Sequence, residues 1–153
     1  MGRKMYNRIK GKTILVSACL LGTKCRYDGS RKPKQQVISL MKQYHLIPVC
    51  PEQLGGLKTP REPAEIQSGR VITQNGKDVT KEYQQGAEET LLLAKLFNCK
   101  TAILKANSPS CGYGRIYDGS FTKTLCCGNG ITAELLLRHG ITVYTEKDFL
   151  VEE

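Results

Sequence analysis

The stretch TILVSACLLG, running from Thr13 to Gly22, decides the fold. Thr13-Ile14-Leu15-Val16-Ser17 is a short apolar run with β-branched residues, closed by Ala18-Cys19 and a glycine-bearing turn. A continuous apolar run bounded by turn residues reads as a strand buried on both faces, the kind found in parallel sheets. Leu46-Ile47-Pro48-Val49 reads as a second strand, ending at Cys50. Thr101-Ala102-Ile103-Leu104-Lys105 gives a third, and Ile141-Thr142-Val143-Tyr144 a fourth.

Helical patterns lie between these runs. Pro33 opens one, with Val37, Ile38, Leu40, Met41 and Tyr44 as its apolar stripe. Asp78 or Thr80 caps a long helix to about Asn98, and a further helix near 130–139 stops at Gly140. Residues 51–69 read as a long loop rich in Pro and Gly, and 113–128 as a second glycine-bearing loop. Between them, Gln74-Asn75-Gly76-Lys77 signals a tight hairpin flanked by Val71-Ile72-Thr73 and Val79. Strands alternating with helices imply right-handed crossovers. The expected fold is therefore α/β: a single Rossmann-like three-layer domain, with a mostly parallel sheet of about four strands plus a small hairpin. Its domain is expected over 13–153, behind a basic flexible tail over 1–12.

The bulk properties narrow the function. The chain has 153 residues and a formal charge of +9. No apolar run approaches the ~20 residues of a membrane helix, and the basic N-terminus has no apolar core of a secretory signal. These readings predict a cytoplasmic protein without membrane contact. Arg3, Lys4, Arg8, Lys10 and Lys12 read as a solvated tail. No nucleic-acid motif accompanies them, so nucleic acid is not an expected partner.

The seven cysteines carry more information than the charge. An odd number in a cytosolic chain points away from a disulfide framework and toward metal or thiol chemistry. There is no Cys-x-x-Cys pair, and His45 and His139 both sit in helix-to-strand turns, away from any ligand spacing. Cys19, Cys50 and Cys111 instead each follow a predicted parallel strand. Sites in such sheets lie outside the carboxyl ends of the strands, so three distant cysteines can converge there. Three thiolates without a histidine suit iron–sulfur chemistry; the other reading is three buried cysteines that merely pack at strand ends. Cys25 is read as a rim or loop thiol, Cys99 as a packing residue, and Cys126-Cys127 as loop cysteines. Tyr-Asp-Gly occurs at 27–29 and 117–119. It fits either two ordinary turns or two loops framing one pocket. Arg26 and Arg61 read either as solvated residues or as contacts for an anionic substrate.

An ordered set of motifs brings a resemblance. The set is Ser17-Ala18-Cys19-Leu20-Leu21-Gly22, Cys25-Arg26-Tyr27-Asp28-Gly29, Val49-Cys50-Pro51-Glu52 with Gly55-Gly56-Leu57, Pro60 to Ile66, Ser108-Pro109-Ser110-Cys111-Gly112 and Ile116-Tyr117-Asp118-Gly119. From about Ile14 to Val143 the chain closely resembles the family once called domain of unknown function 523, which contains the 2-thiouracil desulfurases. The resemblance implies a [4Fe–4S] cluster on Cys19, Cys50 and Cys111, with Glu52 and Ser108 assisting catalysis. The implied reaction is non-redox desulfuration of a thiolated pyrimidine at a cluster with one open iron. It releases hydrosulfide and the oxo-pyrimidine and needs no obligatory redox partner.

Three alternatives stand beside it. A non-catalytic iron–sulfur or metal carrier would have exposed ligands and no pocket. A cysteine-nucleophile hydrolase would need a histidine beside its thiol, and neither histidine is well placed. ATP-driven tRNA thiolation would need a Ser-Gly-Gly-x-Asp-Ser loop, which is missing.

Overall fold

Ile14 and Val16 bury on one side of the central sheet, and Leu15 on the other, as the two-residue period of a strand dictates. In the computed structural model, which describes residues 12–149, that strand is β1 (Thr13–Ser17). It pairs in parallel with β2 (His45–Val49) and with β5 (Thr101–Leu104). β8 (Thr142–Thr145) then adds in parallel to β5, giving the order β2-β1-β5-β8.

Helices cover both faces. Leu15, Ala102 and Leu104 face α3 (Thr80–Leu96) and α4 (Ile131–Arg138), where Leu91, Ala94, Ala133 and Leu136 close one core. Ile14, Val16 and Ile103 meet Val37 of α1 (Gln35–Ile38) and Leu40 of the 3-10 turn after it, forming the second. This is the expected three-layer α/β domain. The predicted basic tail lies outside the described residues, apart from Lys12.

The two loops expected at 51–69 and 113–128 hold regular structure. The first contains α2 (Pro51–Leu54) and β3 (Ala64–Gln67). β3 pairs antiparallel with β4 (Arg70–Thr73) across Ser68-Gly69, where both residues have positive φ, 49° and 78°. The β3–β4 turn at 68–69 is additional to the expected one at Asn75-Gly76. Asn75-Gly76 makes the next turn, which returns the chain to α3 through a single bridge between Ile72 and Asp78. The second loop is a hairpin of β6 (Arg115–Tyr117) and β7 (Leu125–Cys127). A short α5 (Glu146–Phe149) follows β8.

Candidate active site

Three chain segments leave the sheet at its carboxyl edge, and each carries a cysteine. Cys19 lies in the 3-10 turn Ala18–Leu21 that directly follows β1. Cys50 follows β2 and caps α2, whose first residue is Pro51; the fixed φ of proline suits that position. Cys111 follows β5 after the Ser108-Pro109-Ser110 turn. Because β1 is central, these turns are neighbours, and all three cysteines line one cavity of about 420 Å³. That volume is in the range of small-molecule sites. Glu52 and Ser108 line the same cavity. Cys99 is away from it, buried in the core behind α3 and α4.

The surroundings of each thiol differ. Cys111 is almost closed to solvent, and burial pushes its thiol up to about 11. Ser17 Oγ donates to its Sγ at 3.4 Å and accepts the Lys105 N–H at 2.9 Å, so β1 and β5 jointly fix this thiol. Ser108 Oγ accepts the backbone N–H of Ser110 at 3.0 Å and of Cys111 at 3.1 Å. It thereby shapes the turn that presents Cys111, and its hydroxyl hydrogen remains to be donated.

Cys25 is a fourth thiol in the cavity, and it is buried. Its Sγ is 3.0 Å from Thr23 Oγ1. Cys50 Sγ donates to Cys25 O at 3.8 Å, and the neighbouring thiols of Cys19 and Cys50 hold Cys25 far below the ordinary thiol range while both are themselves raised. Reading the sequence alone left Cys25 as a rim or loop thiol; it belongs to the cavity wall. Cys126 and Cys127 are exposed on β7.

Glu52 sits on α2, which lies backbone to backbone on α3. A Cβ on Gly55 would be 2.0 Å from Glu82 O, and a Cβ on Gly86 would be 1.9 Å from Pro51 O. Only two glycines allow this approach. Glu52 Oε2 accepts from Arg61 Nη2 at 2.6 Å and Nε at 2.7 Å. Arg61 also donates to Cys25 O at 2.8 Å. Its charge is committed inside the protein, which removes it as a free contact for an anionic substrate. Arg26 is tied to its own turn, donating to Ser30 Oγ at 3.2 Å beside Asp28.

Two further cavity residues escaped the sequence reading. Tyr83, an apolar position of α3, faces Glu52, and its hydroxyl is pushed up by burial and then by that carboxylate. Lys105, which passed as the end of β5, lines the cavity with Nζ 3.3 Å from Glu146 Oε2. Among the described residues, no three His, Cys, Asp or Glu side chains are gathered closely enough to hold one metal ion.

Known proteins resemble this chain in both sequence and structure. The sequence profile of the family described as 2-thiouracil desulfurase matches residues 14–148. The chain is 44% identical over 145 residues to the uncharacterized protein YbbK of Bacillus subtilis (strain 168), covering 88% of this chain and 96% of that one. Among solved structures it is similar to the [4Fe-4S]-dependent thiouracil desulfidase TudS, with a TM-score of 0.81 and 43% identity, covering 92% of this chain and 94% of that chain.

Proposed function

The chain belongs to the 2-thiouracil desulfurase family, and on that premise we propose that it desulfurates a thiolated pyrimidine at a [4Fe–4S] cluster held by Cys19, Cys50 and Cys111. The observation that carries the reading is the shared cavity: three thiols from three strand ends, with Glu52 and Ser108 in the same wall. The donor set suits the group. A single ion needs ligands gathered on a point, whereas in a cluster each thiolate binds its own iron. Soft thiolates without histidine favour such clusters. When bound by three residues, the cluster supplies an iron without a protein ligand, a Lewis acid toward a thiocarbonyl sulfur.

The protein's own groups do the rest. Arg61 holds Glu52 through Oε2, so Oε1 is free of the guanidinium and can accept a proton from an attacking water. Ser108 has both backbone donors on its oxygen and directs its hydroxyl hydrogen to the substrate. Water adds to the thiocarbonyl carbon, the C–S bond breaks, and the carbon keeps its oxidation level. The products are the oxo-pyrimidine and hydrosulfide, so no electron donor enters. Residues 13–153 act as one domain in this reading. No helix among the described residues is long and apolar enough to cross a membrane. Seven unpaired cysteines suit the reducing cytoplasm, where we place the protein.

The test is anaerobic reconstitution with iron and sulfide, followed by 2-thiouracil. Stoichiometric sulfide and uracil support the enzyme. A loaded protein that releases neither, yet passes its cluster to an apo-acceptor, is a carrier.

A further inference from the structure

The two Tyr-Asp-Gly-Ser segments fold into the same turn. In each, the aspartate Oδ1 accepts the serine N–H at 2.9 Å and the serine hydroxyl at 2.6 Å. Both turns send their tyrosine, Tyr27 and Tyr117, to the cavity. The second turn is anchored more firmly. Glu65 is buried, and its Oε1 accepts the N–H of Gly119 at 2.9 Å and of Phe121 at 3.1 Å. Gln67 Nε2 donates to Gly119 O at 2.6 Å. Gly119, with φ of 94°, lies so close to β3 that a Cβ would be 2.7 Å from Ile66 O. A buried carboxylate is costly unless hydrogen-bonded; here its partners are the amides of one loop.

That loop is also strained. Phe121 and Lys123 have φ of 59° and 61°, left-handed values that side chains disfavour. Such strain persists where surrounding structure over-determines it, commonly at ligand-binding sites. Phe121 is half-buried and lines the cavity, as does Tyr117. The desulfuration chemistry assigns neither ring a task.

We propose that Phe121 and Tyr117 form the face on which the planar ring of the thiocarbonyl substrate stacks, and that Glu65 is the positioning residue that sets this face. The inference rests on the desulfurase reading and adds a specificity: a flat, fully conjugated ring over a puckered one. Aromatic faces favour flat rings because dispersion and quadrupole contacts need close parallel or edge approach.

The experiment compares 2-thiouracil with 5,6-dihydro-2-thiouracil, which keeps the thiocarbonyl but loses planarity. Cluster-loaded wild type, Phe121→Leu, Phe121→Tyr, Tyr117→Leu, Glu65→Ala and Glu65→Gln are assayed at matched iron content. Phe121→Leu and Tyr117→Leu should raise KM for 2-thiouracil on the order of tenfold. They should raise KM for the dihydro compound much less, and Phe121→Tyr should retain the wild-type KM. Glu65→Ala should reproduce the Phe121→Leu pattern, and Glu65→Gln, whose amide oxygen can still accept both N–H groups, should restore it. Equal changes for the two substrates, or none in either Leu variant, overturn the proposal. If wild type releases no sulfide, the desulfurase reading fails separately. Dialysis of uracil against dihydrouracil then still reads the stacking face, and equal binding of the two overturns it.

Discussion

Arg61 grips Glu52 by a single carboxylate oxygen, at 2.6 and 2.7 Å, in a place where the two side chains are only 9% and 15% exposed. The same guanidinium holds Cys25 O at 2.8 Å, and the Arg61 N–H donates to Tyr27 O at 2.7 Å. One residue therefore joins the Cys25 loop to the helix bearing Glu52. Removing it leaves a carboxylate unpaired. Arg61→Gln is expected to lower stability by about 3 kcal/mol, the scale of a broken buried pair. Arg61→Lys cannot reproduce the fork and should recover only part of this. Urea unfolding checks it; unchanged midpoints for both variants would show that the pair is dispensable.

Cluster binding should separate the cysteines. Cys19→Ala, Cys50→Ala and Cys111→Ala are each expected to abolish it, since two thiolates anchor a cube poorly. Cys99→Ala and Cys127→Ala should retain full iron and sulfide, because Cys99 lies in the core and Cys127 on the surface. Iron and acid-labile sulfide counts after anaerobic reconstitution decide it. A loaded Cys50→Ala protein would remove Cys50 from the ligand set.

Glu52→Gln should keep the cluster and lose turnover by about 10²-fold or more, the contribution of a positioned acid–base group. Ser108→Ala carries two effects. Its oxygen accepts the N–H of Ser110 and Cys111, so the variant also loosens the turn that presents Cys111. Its turnover should fall on a similar scale, with slower cluster assembly as well. Ser108→Thr, which keeps the hydroxyl, should restore assembly. Normal rates in Glu52→Gln would end the proton-transfer role.

The sheet was legible because its strands are short apolar runs. With β1 between β2 and β5, the convergence of Cys19, Cys50 and Cys111 follows from parallel strands alone. The rest depends on contacts that no local pattern records. β6 and β7 are three residues each, too short for periodicity to show. The expected turn at Asn75-Gly76 is present, but a second hairpin turn at Ser68-Gly69 precedes it, because β3 lies within the expected loop and pairs with β4. Arg61 is remote from Cys25 in sequence, so no local pattern records its bond to that carbonyl, and its charge reads either as solvated or as available to substrate.

Asp78 links the start of α3 to acid stability. Its carboxylate accepts from Thr80 and pairs with Arg70, and these contacts lower it from 3.8 to about 2. A depressed folded value means that the contribution is complete above the unfolded value of 3.8 and is lost as pH falls through about 2. The melting temperature of Asp78→Asn should therefore lie below that of wild type at pH 7, with the gap closing toward pH 2. A gap that stays constant across that range would sever Asp78 from the acid response.

Gly86→Ala sets two magnitudes against each other. Gly86 lies inside α3, where alanine is the better helix former by about 1 kcal/mol. On propensity alone the variant should be more stable. Its Cβ, however, would be 1.9 Å from Pro51 O, and the obstacle is backbone rather than a side chain that can swing aside. α2 must therefore move, and it carries Glu52 two residues after Cys50. Overpacking of this kind costs about 1–3 kcal/mol, so a net loss of about 1 kcal/mol and a melting temperature lower by about 2–4 °C are expected. Turnover should fall further than stability, because the displaced helix holds the acid–base group. Gln85→Ala, one position away on the exposed side of α3, should change neither. A Gly86→Ala protein that is both more stable and fully active would show that α2 is free to shift without cost to the site.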